Sequence, residues 1–150
     1  MLLELLKPEN IIVQETAKSW QEAGRKVGAL LVENDDVTKA YIEATIQSVE
    51  KYGPYIVVAD GIALFHARPE DGVNNMCMAL MTLEDGVVFG IEEKDPVKMV
   101  FVFGAVDNRS HVKALTELMK IFRIKDMADS WSKINSSKEL LGEIKRVLEA

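Results

Sequence analysis

The sequence predicts an α/β fold: a single-domain sandwich in which a mixed central β-sheet is covered by helices on both faces. Strand-like segments alternate with amphipathic helical segments along the chain, which is typical of helices packed on a sheet. Two segments are too apolar for exposed loops, which indicates central strands buried on both faces. A hairpin-like middle region favours a mixed sheet, and a length of 150 residues fits one domain, here residues 1–150.

The first third of the chain predicts one strand and two helices. Residues 10–13 (NIIV) have the β-branched content of a short strand. Ser19 followed by Glu22 forms a capping box, and apolar positions recur at helical spacing from Trp20 to Leu31. Residues 34–36 (NDD) are predicted to end this helix and to cap a second one, whose apolar positions run from Tyr41 to Val49.

The middle of the chain predicts the sheet. Residues 52–54 (YGP) break the helical pattern, and residues 55–58 (YIVV) are predicted to form a strand. Residues 76–83 and 98–105 are the apolar segments predicted as central strands.

Between those two segments a turn and a short strand are expected. Residues 84–86 (EDG) have the composition of a turn, and residues 87–90 (VVFG) are expected to form a short hairpin or an edge strand.

The last third is predicted to be helical. Residues 107–110 (DNRS) are capping residues placed before an amphipathic helix that extends to Phe122. A short helix is expected near residues 126–131. A second capping box, Ser136 to Glu139, precedes the apolar positions of a final helix.

Composition and charge exclude several classes of protein. The net charge is −6 and no basic stripe occurs, so nucleic acid is not expected as a partner. Cys77 is the single cysteine, which prevents an intramolecular disulfide and agrees with a reducing compartment. No apolar run approaches 20 residues and no targeting signal is recognised, so a cytoplasmic location is expected.

Two histidines are the first candidates for chemistry. His66 and His111 are the only two in the chain, and each follows the end of a strand-like segment. Ligands of open α/β sheets bind outside the strand ends, so both imidazoles are expected at one site.

The residues around His66 carry a resemblance to a known family. Residues 61–66 (GIALFH) resemble the active-site loop of phosphotransferase-system enzyme IIA domains of the mannitol/fructose/nitrogen class. That pattern is glycine, apolar, alanine, apolar, usually proline, and then the phosphorylated histidine. The ascorbate-type branch is the most similar, with further likenesses at residues 52–55 (YGPY), 66–73 (HARPEDGV), and 95–97 (DPV) with 105–107 (AVD). A second family histidine falls on His111.

The sequence also departs from this pattern. Phe65 stands where the family usually has proline, and Asp60 stands where ascorbate-type members often have proline. Mannitol-type members have an arginine on the helix before the active-site strand. Residues 47–51 (QSVEK) contain none, and Arg68 is the nearest arginine by sequence.

The resemblance implies a phosphotransferase in which His66 is phosphorylated. His111 is expected to donate a hydrogen bond to phosphoryl oxygens, because it lies near the start of a helix at the matching family position. Arg68 is expected to take the charge-stabilising role of the missing helix arginine, because it lies only two residues beyond His66. A neutral imidazole can attack phosphorus without a base, and phosphoryl transfer needs mainly positioning and charge stabilisation, so no metal or other cofactor is required. Helix capping alone is the alternative for His111. Docking of a partner is the alternative for Arg68.

Three functions are consistent with these residues. As a carrier, the protein would accept a phosphoryl group from phospho-HPr and donate it to an enzyme IIB protein that serves a permease, for ascorbate or a related sugar. As a regulatory module, it would control a partner according to its phosphorylation state. As a metal-dependent hydrolase it would need both histidines and carboxylates around one ion, but no HxH or HxxxH spacing supports this. The oligomeric state is left open.

Overall fold

The computed structural model describes residues 2–150, and Met1 lies outside the described residues. Five strands form one sheet: β1 (Ile11–Glu15), β2 (Val57–Ala59), β3 (Ile62–Phe65), β4 (Cys77–Val87) and β5 (Val97–Gly104). The helices are α1 (Leu2–Leu5), α2 (Trp20–Glu33), α3 (Lys39–Tyr52), α4 (Asn108–Phe122), α5 (Met127–Trp131) and α6 (Ser137–Glu149). Two 3-10 turns occupy Pro8–Asn10 and Pro69–Asp71.

The sheet is mixed, as predicted. Its strand order is β1-β4-β5-β3-β2. The pairs β1/β4 and β3/β5 are parallel, whereas β4/β5 and β2/β3 are antiparallel. Because β3 and β5 are parallel neighbours, their carboxyl ends meet at the same edge of the sheet.

Helices cover both faces of this sheet, which confirms the predicted fold class. Side chains alternate between the faces along β4, so Ala79 and Met81 join one core layer while Met78 and Leu80 join the other. The first layer packs against α2 and α3. The second layer packs against α1, α4, α5 and α6. The predicted central position of β4 and β5 is therefore confirmed.

Three of the predicted helix starts are confirmed by their caps. The side chains of Ser19, Asp107 and Ser136 each accept a hydrogen bond from the backbone N–H three residues later. The prediction that residues 34–36 cap α3 is wrong. Thr38 is the cap, because its hydroxyl accepts from the Tyr41 N–H, while residues 34–36 form the turn that follows α2.

The predicted turn at residues 84–86 and the predicted strand at residues 87–90 are also wrong. Strand β4 continues through 84–86 to Val87, which pairs with Val97 of β5 across a register shift. Gly86 has a φ of +76°, which glycine adopts without steric cost, so the extra residues form an irregularity within the strand.

The strand predicted at residues 55–58 begins later, at Val57. The Tyr55 N–H bonds to the Gly53 carbonyl and the Val57 N–H bonds to the Pro54 carbonyl, so the chain turns before it can extend. Among residues 2–150, no helix combines the length and apolar character needed to cross a bilayer.

Candidate functional site

The two histidines meet at the shared carboxyl edge of β3 and β5. His66 directly follows β3, and His111 is the fourth residue of α4, the helix that follows β5. Their ring centroids lie 5.7 Å apart, with the ring planes at 85°. The prediction that both imidazoles share one site is confirmed by this distance.

The His66 ring is held by its own strand. Its Nδ1 lies 3.1 Å from the carbonyl oxygen of Leu64, and its ring lies nearly perpendicular to the Tyr55 ring, with the centroids 6.2 Å apart. A carbonyl oxygen can only accept, so this bond assigns the proton of the neutral ring to Nδ1. The lone pair of Nε2 is therefore free to act as a nucleophile.

His111 is half-buried beside His66. Its ring packs edge-on against the Phe103 ring, with centroids 5.5 Å apart. Burial, and secondarily the neighbouring His66, lower the pKa of His111 below its usual value of 6.5. At neutral pH the His111 ring is therefore uncharged and keeps one N–H to donate.

Arg68 lies in the same pocket, but its guanidinium is already paired. Its Nη2 lies 3.1 Å from Asp71 Oδ1 and its Nε 3.6 Å from Glu70 Oε1. The Asp71 carboxylate also accepts the backbone N–H of Arg68, and these bonds lower the pKa of Asp71. The Arg68 side chain is 73% exposed, so an incoming anion can reach it, although it would compete with Asp71.

Helix α3 forms a wall of the pocket that sequence reasoning did not include. The pocket encloses about 710 Å³, and Gln47, Ser48 and Lys51 line it together with the two histidines. Lys51 brings a second cation to the pocket, from the helical region where mannitol-type relatives have an arginine. Because residues 47–51 contain no arginine, the sequence predicted Arg68, and not Lys51, as the cation of the site.

Phe65, the residue that replaces the usual proline, anchors the strand before His66. It is fully buried, and its ring packs against the rings of Trp20 and Phe89, with centroids 6.5 and 6.0 Å away. These contacts hold the backbone beside His66 through packing.

The site offers no set of metal ligands. Within residues 2–150, no group of three or more His, Cys, Asp or Glu side chains is arranged to hold an ion. Cys77 is buried, and burial raises the pKa of its thiol to about 12, so it stays protonated at neutral pH.

Comparison with known proteins identifies the family. The profile of the family described as "Phosphoenolpyruvate-dependent sugar phosphotransferase system, EIIA 2" matches residues 4–147. The ascorbate-specific PTS system EIIA component of Shigella boydii is 34% identical over 143 residues, which cover 95% of this chain and 93% of that protein.

Two solved structures have the same fold. The solution structure of the mannitol-specific cryptic phosphotransferase enzyme IIA CmtB from Escherichia coli has a TM-score of 0.86 at 33% identity, covering 97% of this chain and 99% of that one. The complex of enzyme IIAMtl with phosphorylated enzyme IIBMtl from Escherichia coli contains a chain with a TM-score of 0.78 at 25% identity, covering 93% of this chain and 99% of that one.

These matches define the class of protein as a phosphotransferase component that carries phosphoryl groups. The chain belongs to the EIIA 2 family of the phosphoenolpyruvate-dependent sugar phosphotransferase system. The resemblance inferred from residues 61–66 is thereby confirmed.

Proposed function

We propose that Nε2 of His66 accepts a phosphoryl group from phospho-HPr and passes it to an enzyme IIB protein, in a system for ascorbate or a related sugar. The single observation that carries this proposal is the hydrogen bond from His66 Nδ1 to the Leu64 carbonyl. It leaves Nε2 unprotonated in a pocket that also contains His111.

The proposed step needs no external base. The Nε2 lone pair of His66 attacks phosphorus, and the bond from phosphorus to the donor's phosphohistidine nitrogen breaks, with its electron pair returning to that nitrogen. The proton stays on Nδ1, which keeps its hydrogen bond to the Leu64 carbonyl. In the second half-reaction a cysteine or histidine of the acceptor attacks the same phosphorus, and Nε2 regains its lone pair.

Charge stabilisation is the main task left for the surrounding side chains, because the transferring group carries its charge on three oxygens. The uncharged His111 ring donates its N–H to one oxygen. Arg68 offers a planar fork that binds two oxygens, while Lys51 offers a point charge from α3.

The comparisons support the choice of partners and sugar. A relative with the same fold forms a complex with a phosphorylated enzyme IIB, and a relative that matches 95% of this chain is specific for ascorbate. Phospho-HPr is proposed as donor because it supplies a phosphohistidine of the kind that the step requires.

Incubation with phosphoenolpyruvate, enzyme I and HPr, followed by mass spectrometry, tests the proposal. We expect one acid-labile phosphoryl group that maps to His66, and no label on His66→Ala. His111→Ala is the matched control, because it also removes one imidazole from the pocket but should still be labelled. Label that maps to His111, or that persists in His66→Ala, would contradict the assignment.

A further inference from the structure

Tyr41 is a buried titratable residue that the proposed chemistry does not use. It lies in the first turn of α3 and is fully buried, yet its hydroxyl reaches the sheet edge where the histidines sit. The hydroxyl donates to the Phe103 carbonyl at 2.6 Å and accepts from the Ala67 N–H at 3.0 Å. The Ala67 carbonyl, at 3.5 Å, is too distant to compete for the single proton.

These two partners are the groups that the sheet would otherwise join directly. The parallel pairing of β3 with β5 ends at Phe65 opposite Val102. One residue further, His66 would face Phe103, and the ladder bond closing that pair would run from the Ala67 N–H to the Phe103 carbonyl. Both groups bond to the Tyr41 hydroxyl instead, so its oxygen stands in the place of the next ladder bond.

The inserted oxygen holds the strand ends apart. The Ala67 N–H and the Phe103 carbonyl are joined through the Tyr41 oxygen by two hydrogen bonds of 3.0 and 2.6 Å. A direct ladder bond would bring the same two groups to about 2.9 Å from each other. The strands therefore separate at His66, where the pocket begins. Burial raises the pKa of the Tyr41 phenol, so it keeps its proton and can donate throughout the neutral pH range.

The two residues that bond to the Tyr41 hydroxyl each contact or adjoin one of the histidines. Ala67 is the residue bonded to His66 in the chain. Phe103 carries the ring against which His111 packs. A shift of either partner therefore changes the placement of one imidazole relative to the other.

We propose that Tyr41 is a positioning residue, whose hydroxyl sets the distance and orientation between His66 and His111 by replacing a ladder bond between β3 and β5. Its effect on phosphoryl transfer rests on the function proposed above. Its effect on the geometry of the rings does not.

The first experiment compares Tyr41→Phe with Thr45→Val. Thr45 is a matched control because it is on the same helix, is buried, and bonds through its hydroxyl only to the Ile42 carbonyl within α3. We expect Tyr41→Phe to lower the transfer rate at saturating phospho-HPr about tenfold or more, with KM for the donor unchanged, since small misplacements of reacting groups are costly. Thr45→Val should transfer at the rate of the unmodified protein.

The second readout is the ¹⁵N NMR spectrum of the His66 ring in the unphosphorylated protein. The unmodified protein and Thr45→Val should show protonated Nδ1 and unprotonated Nε2, and Tyr41→Phe should move both signals toward an average of the two tautomers. A folded Tyr41→Phe protein with unchanged His66 signals would overturn the proposal, whether or not its transfer rate falls. If the unmodified protein accepts no phosphoryl group, the proposed function fails, and the ring signals still decide the role of Tyr41.

Hydrogen exchange in the unmodified protein tests the bridge if Tyr41→Phe does not fold. The Ala67 amide should exchange as slowly as the ladder amides of β3, although it lies beyond the end of that strand. Exchange at the rate of an unbonded loop amide would show that the bridge does not form in solution and would overturn the proposal.

Discussion

Replacing Gly24 with alanine tests the packing that fixes the strand before His66. Gly24 lies within α2, directly over the ring of Phe65. A Cβ atom at position 24 would lie 2.8 Å from Cε1 and 2.9 Å from Cζ of that ring, well inside van der Waals contact. The Phe65 ring is fully buried and packs against the rings of Trp20 and Phe89, so it cannot turn aside freely.

The expected change in the unfolding free energy of Gly24→Ala combines two effects of opposite sign. Exchanging glycine for alanine inside a helix stabilises it by roughly 0.5–1 kcal/mol. Overpacking of a filled core costs about 1–3 kcal/mol. Gly142 is the matched control, since it lies within α6 and a Cβ there would have no neighbouring atom within 4 Å. The two alanine variants should therefore differ in unfolding free energy by about 1–3 kcal/mol, with Gly142→Ala the more stable.

Urea unfolding followed by circular dichroism measures this difference. For a chain of this size, 1 kcal/mol corresponds to a shift in Tm of roughly 2–4 °C, so thermal unfolding gives an independent value. Trp20 fluorescence reports on the same contact, because the Trp20 ring stacks on Phe65. If Gly24→Ala stabilises the protein as much as Gly142→Ala does, the Phe65 ring is not packed against α2 and the reasoning is refuted.

Further predictions concern the pocket itself. An NMR titration should give His111 a pKa below 6.5, because burial and the adjacent His66 disfavour its charged form; a midpoint at or above 6.5 would contradict this packing. Because the pKa of His111 is higher in the unfolded chain than in the folded protein, the unfolded chain takes up a proton first as the pH drops below 6.5. The free energy of unfolding should therefore fall between pH 6.5 and the folded pKa. In His111→Gln, urea unfolding should show a smaller decrease over the same pH range. His111→Ala should slow transfer with the fold intact, and unchanged donor and acceptor rates would reduce His111 to a helix-capping role. Arg68→Ala should slow transfer in rapid-quench measurements at saturating HPr, and Arg68→Lys should retain less activity than its charge suggests, because a point charge cannot form two parallel bonds. An Arg68→Ala rate equal to that of the unmodified protein would leave only a docking role. Asp71→Asn should raise the transfer rate, since it removes the carboxylate that competes for Arg68, and an unchanged rate would show that this ion pair does not limit access.

Local patterns were sufficient to predict most of the elements. The capping residues Ser19, Asp107 and Ser136 bond within three residues of themselves, so their role is visible in the sequence. The apolar runs of β4 and β5 predicted two central strands for a similar reason, because burial on both faces leaves no polar side. One error falls where pairing with another strand decides. Residues 84–86 look like a turn, but they stay in β4 because Val87 finds its partner at Val97.

The candidate site likewise contains residues that the sequence predicted and contacts that only the structure revealed. His66 and His111 were predicted to meet because both follow the ends of strand-like segments, and ligands of open α/β sheets bind outside such ends. Lys51 was missed because its position on α3 indicates only a solvated charge until the helix is placed against the pocket. The pairing of Arg68 with Asp71 was also missed, because the 3-10 turn at Pro69–Asp71 that folds one toward the other leaves no distinct pattern.

The sequence by itself determined the class of fold, the candidate nucleophile and the family, because helix caps, strand composition and the motif at residues 61–66 are local in the chain. Only the tertiary structure decided how closely the two imidazole rings approach each other and what separates the two strand ends. The Tyr41 hydroxyl meets groups 26 and 62 residues away. No periodicity or motif encodes such a contact, because it depends on the packing of α3 against the whole sheet.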